Sequence, residues 1–203
     1  LTHIRHSEKV FVMKRLLLIL ILTLSFQTLV KADNIRDLEI EGMSIGDSLL
    51  DFYSKDKIID NFNNNSYPNS DKYWGISIIE KVNKYDGIKF HVKTDDKKYL
   101  IAAISGRIHF EKNANCLKEK DKILLEITSS ITIINRKDYI FDYPQYIKSK
   151  SHITDLIING GKIRVFCDDL SDEVVKELNL VKSLAITLNS KIFDTWLNTE
   201  AYK

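Results

Sequence analysis

An apolar run from Leu16 to Val30 divides this 203-residue chain and decides which part of it has to fold. Lys14 and Arg15 precede the run, Val30-Lys31-Ala32 offers small side chains at the two positions a signal peptidase reads, and Asp33 follows. A membrane-spanning helix takes roughly 20 mostly apolar residues. This run is shorter, and Thr23, Ser25, Gln27 and Thr28 dilute it. Residues 13–32 therefore read as a cleaved secretory signal that begins at Met13, not as an anchor. Residues 1–12, "LTHIRHSEKVFV", lack that composition and read as an extension upstream of the true start. No Cys follows the cleavage motif, so no lipid anchor is expected, and the membrane enters only during export. The expectation is a single exported domain, 33–203, in the periplasm or outside the cell.

That boundary changes the charge argument. The chain has 30 Lys+Arg and 28 Asp+Glu, of which five basic residues and one acidic residue fall in 1–32. Residues 33–203 thus carry 25 against 27, a formal −2. The lysines alternate with acids and form no basic stripe, which excludes nucleic acid as a partner. Pro68 and Pro144 are the only prolines, and no Ser/Gly-rich linker interrupts the stretch, so one folding unit is expected.

Cys116 and Cys167 are the only cysteines, and both lie in the exported part. In an oxidising compartment two lone cysteines favour a disulfide. A metal site or a reactive thiol is the alternative, but neither cysteine has a second cysteine or a nearby His at ligand spacing.

Periodicity then places the elements. Ile35 to Ile40 alternates as a short strand. Ser44 and Asp47 resemble a capping box ahead of Ile45, Leu49, Phe52 and Tyr53, one helical face. A phosphate-cradling reading of "GMSIGDS" fails on spacing. A second short turn runs through Ile58, Ile59 and Phe62, and "NFNNNSYPNSD" is a loop. Three strands follow, "YWGISIIE", "GIKFHVK" and "YLIAAISGRIHF". In the second, Ile88, Phe90 and Val92 face in while Lys89, His91 and Lys93 face out. The run Leu100 to Ile104 suggests a central strand covered on both faces. "NANCLKEKDKILLEITSSI" returns to helical spacing through Leu117, Leu124, Ile127 and Ile131, with Cys116 in its first turn. From Thr132 to His152 the signal is weak and fits strand or loop. "KIRVFCDD" and "SLAITLNS" are strands, "LSDEVVKEL" a short helix capped by Ser171, and Ser190 caps a last helix with Ile192, Phe193, Trp196 and Leu197. Segregated strands and helices with turn-like connections point to α+β: antiparallel meander strands with three packed helices, arranged as two helix-plus-three-strand units. That element order resembles the tandem helix-plus-sheet layout of small exported inhibitor and outer-membrane-assembly domains.

Three segments, "IEGMSIGDSLLDF", "ISGRIHFEKNANC" and "IRVFCDD", resemble a group of small exported proteins from A+T-rich marine bacteria. The resemblance spans most of 33–203. It implies export and a cysteine pair, and assigns no activity or catalytic residue.

Candidate chemistry is sparse. His109 and Glu111 share a strand face, and His91 lies on a nearby strand, but a metal site needs three or four converging ligands. His-x-Glu also occurs in zinc deaminases, whose Pro-Cys-x-x-Cys partner is absent. "CDDLSDE" lacks the glycine and the regular alternation of a calcium loop and reads as helix capping. No Gly-x-Ser-x-Gly elbow occurs. No catalytic residue, metal or cofactor is therefore expected. The reading is non-enzymatic binding of a protein or small ligand in the cell envelope, with a secreted hydrolase as the alternative. A hydrolase would bring two or more of His91, His109, Glu111 and Asp168 within hydrogen-bond reach. A binding module would expose an apolar patch, for which the aromatics of "DYIFDYPQY", Tyr139, Phe141, Tyr143 and Tyr146, are the candidates.

Overall fold

The apolar stretches between 73 and 109 and between 150 and 190 build one twisted sheet, buried across one face and only partly across the other. The computed structural model describes residues 32–63, 67 and 69–202. The expected upstream extension, and the signal segment apart from Ala32, lie outside the described residues. In chain order the elements are β1 (Glu39–Ile40), β2 (Met43–Ser44), α1 (Lys55–Asp60), β3 (Phe62–Asn63), β4 (Tyr73–Ile78), β5 (Gly87–Lys93) and β6 (Ile101–His109). Then come α2 (Asn113–Ser130), β7 (Asn135–Asp142), β8 (Lys150–Ile158), β9 (Gly161–Asp169), α3 (Asp172–Glu177), β10 (Ser183–Ser190) and α4 (Lys191–Thr199).

The protein is α+β, with an antiparallel eight-stranded sheet in the order β3-β4-β5-β6-β10-β9-β8-β7. Two meanders, β4-β5-β6 and β7-β8-β9, each follow a helix. The last strand, β10, closes them into one sheet by pairing antiparallel with β6 on one side and β9 on the other. β10 is buried along most of its length because Leu184 and Leu188 enter the main core, while the small Ala185 on the other face lies between Phe166 and Arg107.

The first face carries the main core. Ile163, Val165 and Cys167 of β9 and Leu184 and Leu188 of β10 pack there against Cys116, Ile123 and Leu124 of α2, and Ile88, Phe90 and Val92 of β5 belong to the same core. The N-terminal segment adds Ile35, Ile40, Met43 and Leu49 to the same core. Cys116 and Cys167 form a disulfide with Cα atoms 6.0 Å apart, joining the first turn of α2 to β9. Lys120 of α2 is buried against the same face, where its ammonium donates to Thr154 Oγ1 at 2.8 Å.

The second face is covered at one end only. Ser190 ends β10 and caps α4, accepting the Phe193 N–H at 3.2 Å. The chain reverses there and lays Phe193 and Trp196 over Tyr73 and Ala103. The Phe193–Tyr73 rings meet edge to face at 5.1 Å.

Three expectations are corrected. Ile35–Asp37 is a 3-10 turn capped by Asn34, and only Glu39–Ile40 pairs as strand. The expected helix from Ser44 does not form. Ser44 lies in β2, its N–H donates to Asp47 Oδ2 at 2.8 Å, and Gly46 at φ +98° turns the chain into the left-handed region that only glycine enters freely. Ser48 then caps a short 3-10 turn, Leu49–Asp51. Finally, His91 does not face solvent. The α4 helix covers it, so β5 is buried on both sides at that point. The expected later helices are present, and α1 and α3 bring the described α-helices to four.

Candidate functional site

Pleating divides β9 between the two faces. Ile163, Val165 and Cys167 enter the core, so Arg164, Phe166 and Asp168 project from the other side. Register then builds rows across that open face. Tyr139 of β7 stands opposite Ile153 of β8, which stands opposite Phe166, itself opposite Ala185 of β10. One pleat on, Phe141, Ser151, Asp168 and Ser183 form the next row. Just past β7, Tyr143 folds back beside Phe141, edge to face at 5.3 Å. Together Tyr139, Phe141, Tyr143, Ile153 and Phe166, with Ser151 and Arg164, line a cleft of about 380 Å³. That volume falls in the range of small-ligand sites.

Two polar clamps hold the cleft open. At one end Arg164 grips Asp155 with two hydrogen bonds, Nε to Oδ1 at 2.7 Å and Nη2 to Oδ2 at 2.8 Å. The same Nη2 donates to the Tyr139 hydroxyl at 2.9 Å, which in turn donates to Asp155 Oδ2 at 3.3 Å. The bond to Asp155 raises the Arg164 pKa further above its ordinary value. At the other end Asp168 Oδ1 accepts from Tyr143 at 2.8 Å and from Ser151 at 2.9 Å. Burial, and then the Asp168 charge, push the Tyr143 phenol up to about 12, so it stays a neutral donor at physiological pH. Burial also raises Tyr139. The Tyr139 and Tyr143 rings thus line the cleft with their hydroxyls already bonded.

Of the four aromatics singled out from the sequence, Tyr139, Phe141 and Tyr143 share this cleft, and none of the four is buried. Tyr146 packs on Tyr143 with ring centroids 6.0 Å apart but lines a separate groove beside α3. Arg164, Phe166, Ile153 and Ser151 were not singled out. For Arg164 and Phe166 a signal was available, because strict alternation in "KIRVFCDD" puts them on one face.

The ionisable candidates do not converge. His91 lies under Phe193, ring centroids 4.9 Å apart, and burial pushes its pKa down to about 3, leaving it neutral with Nε2 unpartnered. His109 is at the opposite end of the sheet, its Nδ1 3.9 Å from Asp86 Oδ2. It lines a cleft of about 580 Å³ with Glu111, Asp86 and Asp172, yet no hydrogen bond joins His109 to Glu111. Asp168 belongs to the aromatic cleft. Asp172 and Glu173 form the acidic first turn of α3, capped by Ser171. Among the described residues no three His, Cys, Asp or Glu side chains are placed to hold a metal ion. No helix among them is long and apolar enough to cross a membrane.

No protein-family model, curated protein or solved structure matches the chain.

Proposed function

We propose that this protein is an exported binding domain of the cell envelope that holds its ligand on the open face of the sheet. The observation that carries this reading is the cleft of Tyr139, Phe141, Tyr143 and Phe166, rigid walls braced by the Arg164–Asp155 and Tyr143–Asp168 clamps. Aromatic walls supply large contact area at low entropic cost, and hydrogen bonds hold Tyr139 and Tyr143 in place before any ligand arrives. Export is supported by the signal-like segment 13–32 and by the buried Cys116–Cys167 bridge, which suits an oxidising compartment. The ligand is a small molecule or a single ring-bearing group of a larger partner, since the cleft accommodates no more.

The test is a fragment screen by amide NMR, followed by Tyr139→Ala and Phe141→Ala. Ring-bearing fragments that shift β7, β8 and β9 amides and lose affinity in both variants support the reading. Fragments that collect only around His109 and Glu111, together with ester or glycoside turnover lost in His109→Ala, would transfer the function to a hydrolytic site in the larger cleft.

A further inference from the structure

We infer that Lys89 and Arg107 form an oxyanion seat on the open face, which takes the carboxylate, sulfate or phosphate group of a ligand whose ring lies in the aromatic cleft. The inference rests on reading the open face as the binding surface, and it assigns the ligand's charge. Lys89 of β5 stands opposite Ser105 of β6, which stands opposite Thr187 of β10. Arg107 is two residues further along β6, on the same face, and such diagonal neighbours sit about 7–8 Å apart. That spacing is set at the backbone, and both side chains are long enough to reach one anion across it.

What makes this place unusual is that no acid among the described residues reaches Lys89. Three carboxylates of the open face are already engaged: Asp155 by Arg164, Asp194 by Lys162, and Asp168 by Tyr143 and Ser151. The other oxygen of Asp168 pairs with Arg107 Nη1 at 3.7 Å, so Arg107 has an acid beside it and Lys89 is the cation left without one. Lys89 has no carboxylate partner among the described residues, although it is half-buried. Burial lowers its pKa, and the Arg107 charge lowers it further. A desolvated cation with no carboxylate beside it destabilises the fold unless an anion compensates it. Overall charge does not explain the patch, because 33–203 is formally negative.

The surroundings fit an oxyanion. Thr187 Oγ1 donates to Ser105 Oγ at 3.0 Å, which leaves the Ser105 proton for another acceptor. Arg107 is held by its bond to Ser183 Oγ at 3.1 Å and lies over the Phe166 ring at 5.9 Å. Phe166 is also a wall of the aromatic cleft, so seat and cleft are continuous, separated by two strand spacings of about 4.8 Å each. The small Ala185 side chain between them raises no barrier.

The experiment is an amide NMR titration of the purified protein with inorganic phosphate, sulfate, acetate, phenol and phenyl phosphate. Inorganic phosphate should shift Lys89, Ser105 and Arg107, and phenyl phosphate should bind about tenfold tighter, as a ring contact of ordinary strength implies, and add shifts at Ala185 and Phe166. Lys89→Met should weaken phosphate about tenfold, the loss of one charge-assisted contact, with the remaining spectrum unchanged. Arg107→Met, at an exposed position, gives the same readout if the first variant misfolds. Preference among phosphate, sulfate and acetate identifies the natural anion. Anions that shift none of these amides, or bind both variants as tightly as the parent, overturn the inference. If phenol and phenyl phosphate then bind the cleft equally, the open-face reading survives alone. If neither touches the open face, both fail.

Discussion

Replacing both cysteines, as Cys116→Ala/Cys167→Ala, should destabilise the protein by about 4 kcal/mol in the chain-entropy account. The magnitude follows from the 51-residue separation of the two bridged positions. Closing a loop of that length removes freedom from the unfolded chain, while the folded chain loses only two sulfurs. Those sulfurs are buried, Cys116 at 1% exposure and Cys167 at 0%, so lost packing adds to the effect. For a domain of this size the change corresponds to a fall in Tm of about 8–16 °C. Urea unfolding followed by circular dichroism measures it, and the m-value should rise because the uncrosslinked unfolded chain exposes more surface. A loss below about 1 kcal/mol at unchanged m would refute the reasoning. It would mean that α2 docks by Ile123 and Leu124 alone and that the unfolded chain is already restricted without the bridge.

Three further outcomes are expected. Asp155→Ala strands the Arg164 guanidinium and should cost about 3 kcal/mol in urea unfolding, whereas a change near zero would show the clamp to be a surface ion pair. His91 titrates near 6.5 when unfolded and at about 3 when folded, so the unfolded chain takes the proton first. Its contribution is intact above about pH 6.5 and falls by roughly 1.4 kcal/mol per pH unit down to about 3; His91→Phe should flatten that part of the stability profile, and an unchanged slope would assign acid sensitivity elsewhere. Gly161→Ala drives a methyl group into the Asn189 carbonyl and towards Ile35 at 3.0 Å, and should cost about 2 kcal/mol or more by thermal melt, since backbone cannot move aside as a side-chain end can.

Where one periodicity dominated, the local sequence was enough. Ile88, Phe90 and Val92 marked the core face of β5, and Ser171 and Ser190 marked the starts of α3 and α4. With only two cysteines in the chain, a disulfide had one possible pairing. The N-terminal region misled because Ser44 and Asp47 satisfy each other in a turn as readily as in a helix cap, and Gly46 decides for the turn. β7 gave little signal because it is an edge strand, exposed at nearly every position, so no alternation was imposed on it.

The sequence by itself therefore determined the class of the protein, an α+β chain with antiparallel meanders and one disulfide, because strand and helix periods are local properties of neighbouring residues. Only the tertiary structure decided that β10 joins the two meanders, that α4 covers His91, and that Arg107, Phe166 and Tyr139 face one open surface. A period of two tells which residues share a side of one strand. It says nothing of which strands become neighbours, and that choice is made by burial shared between segments far apart in the chain.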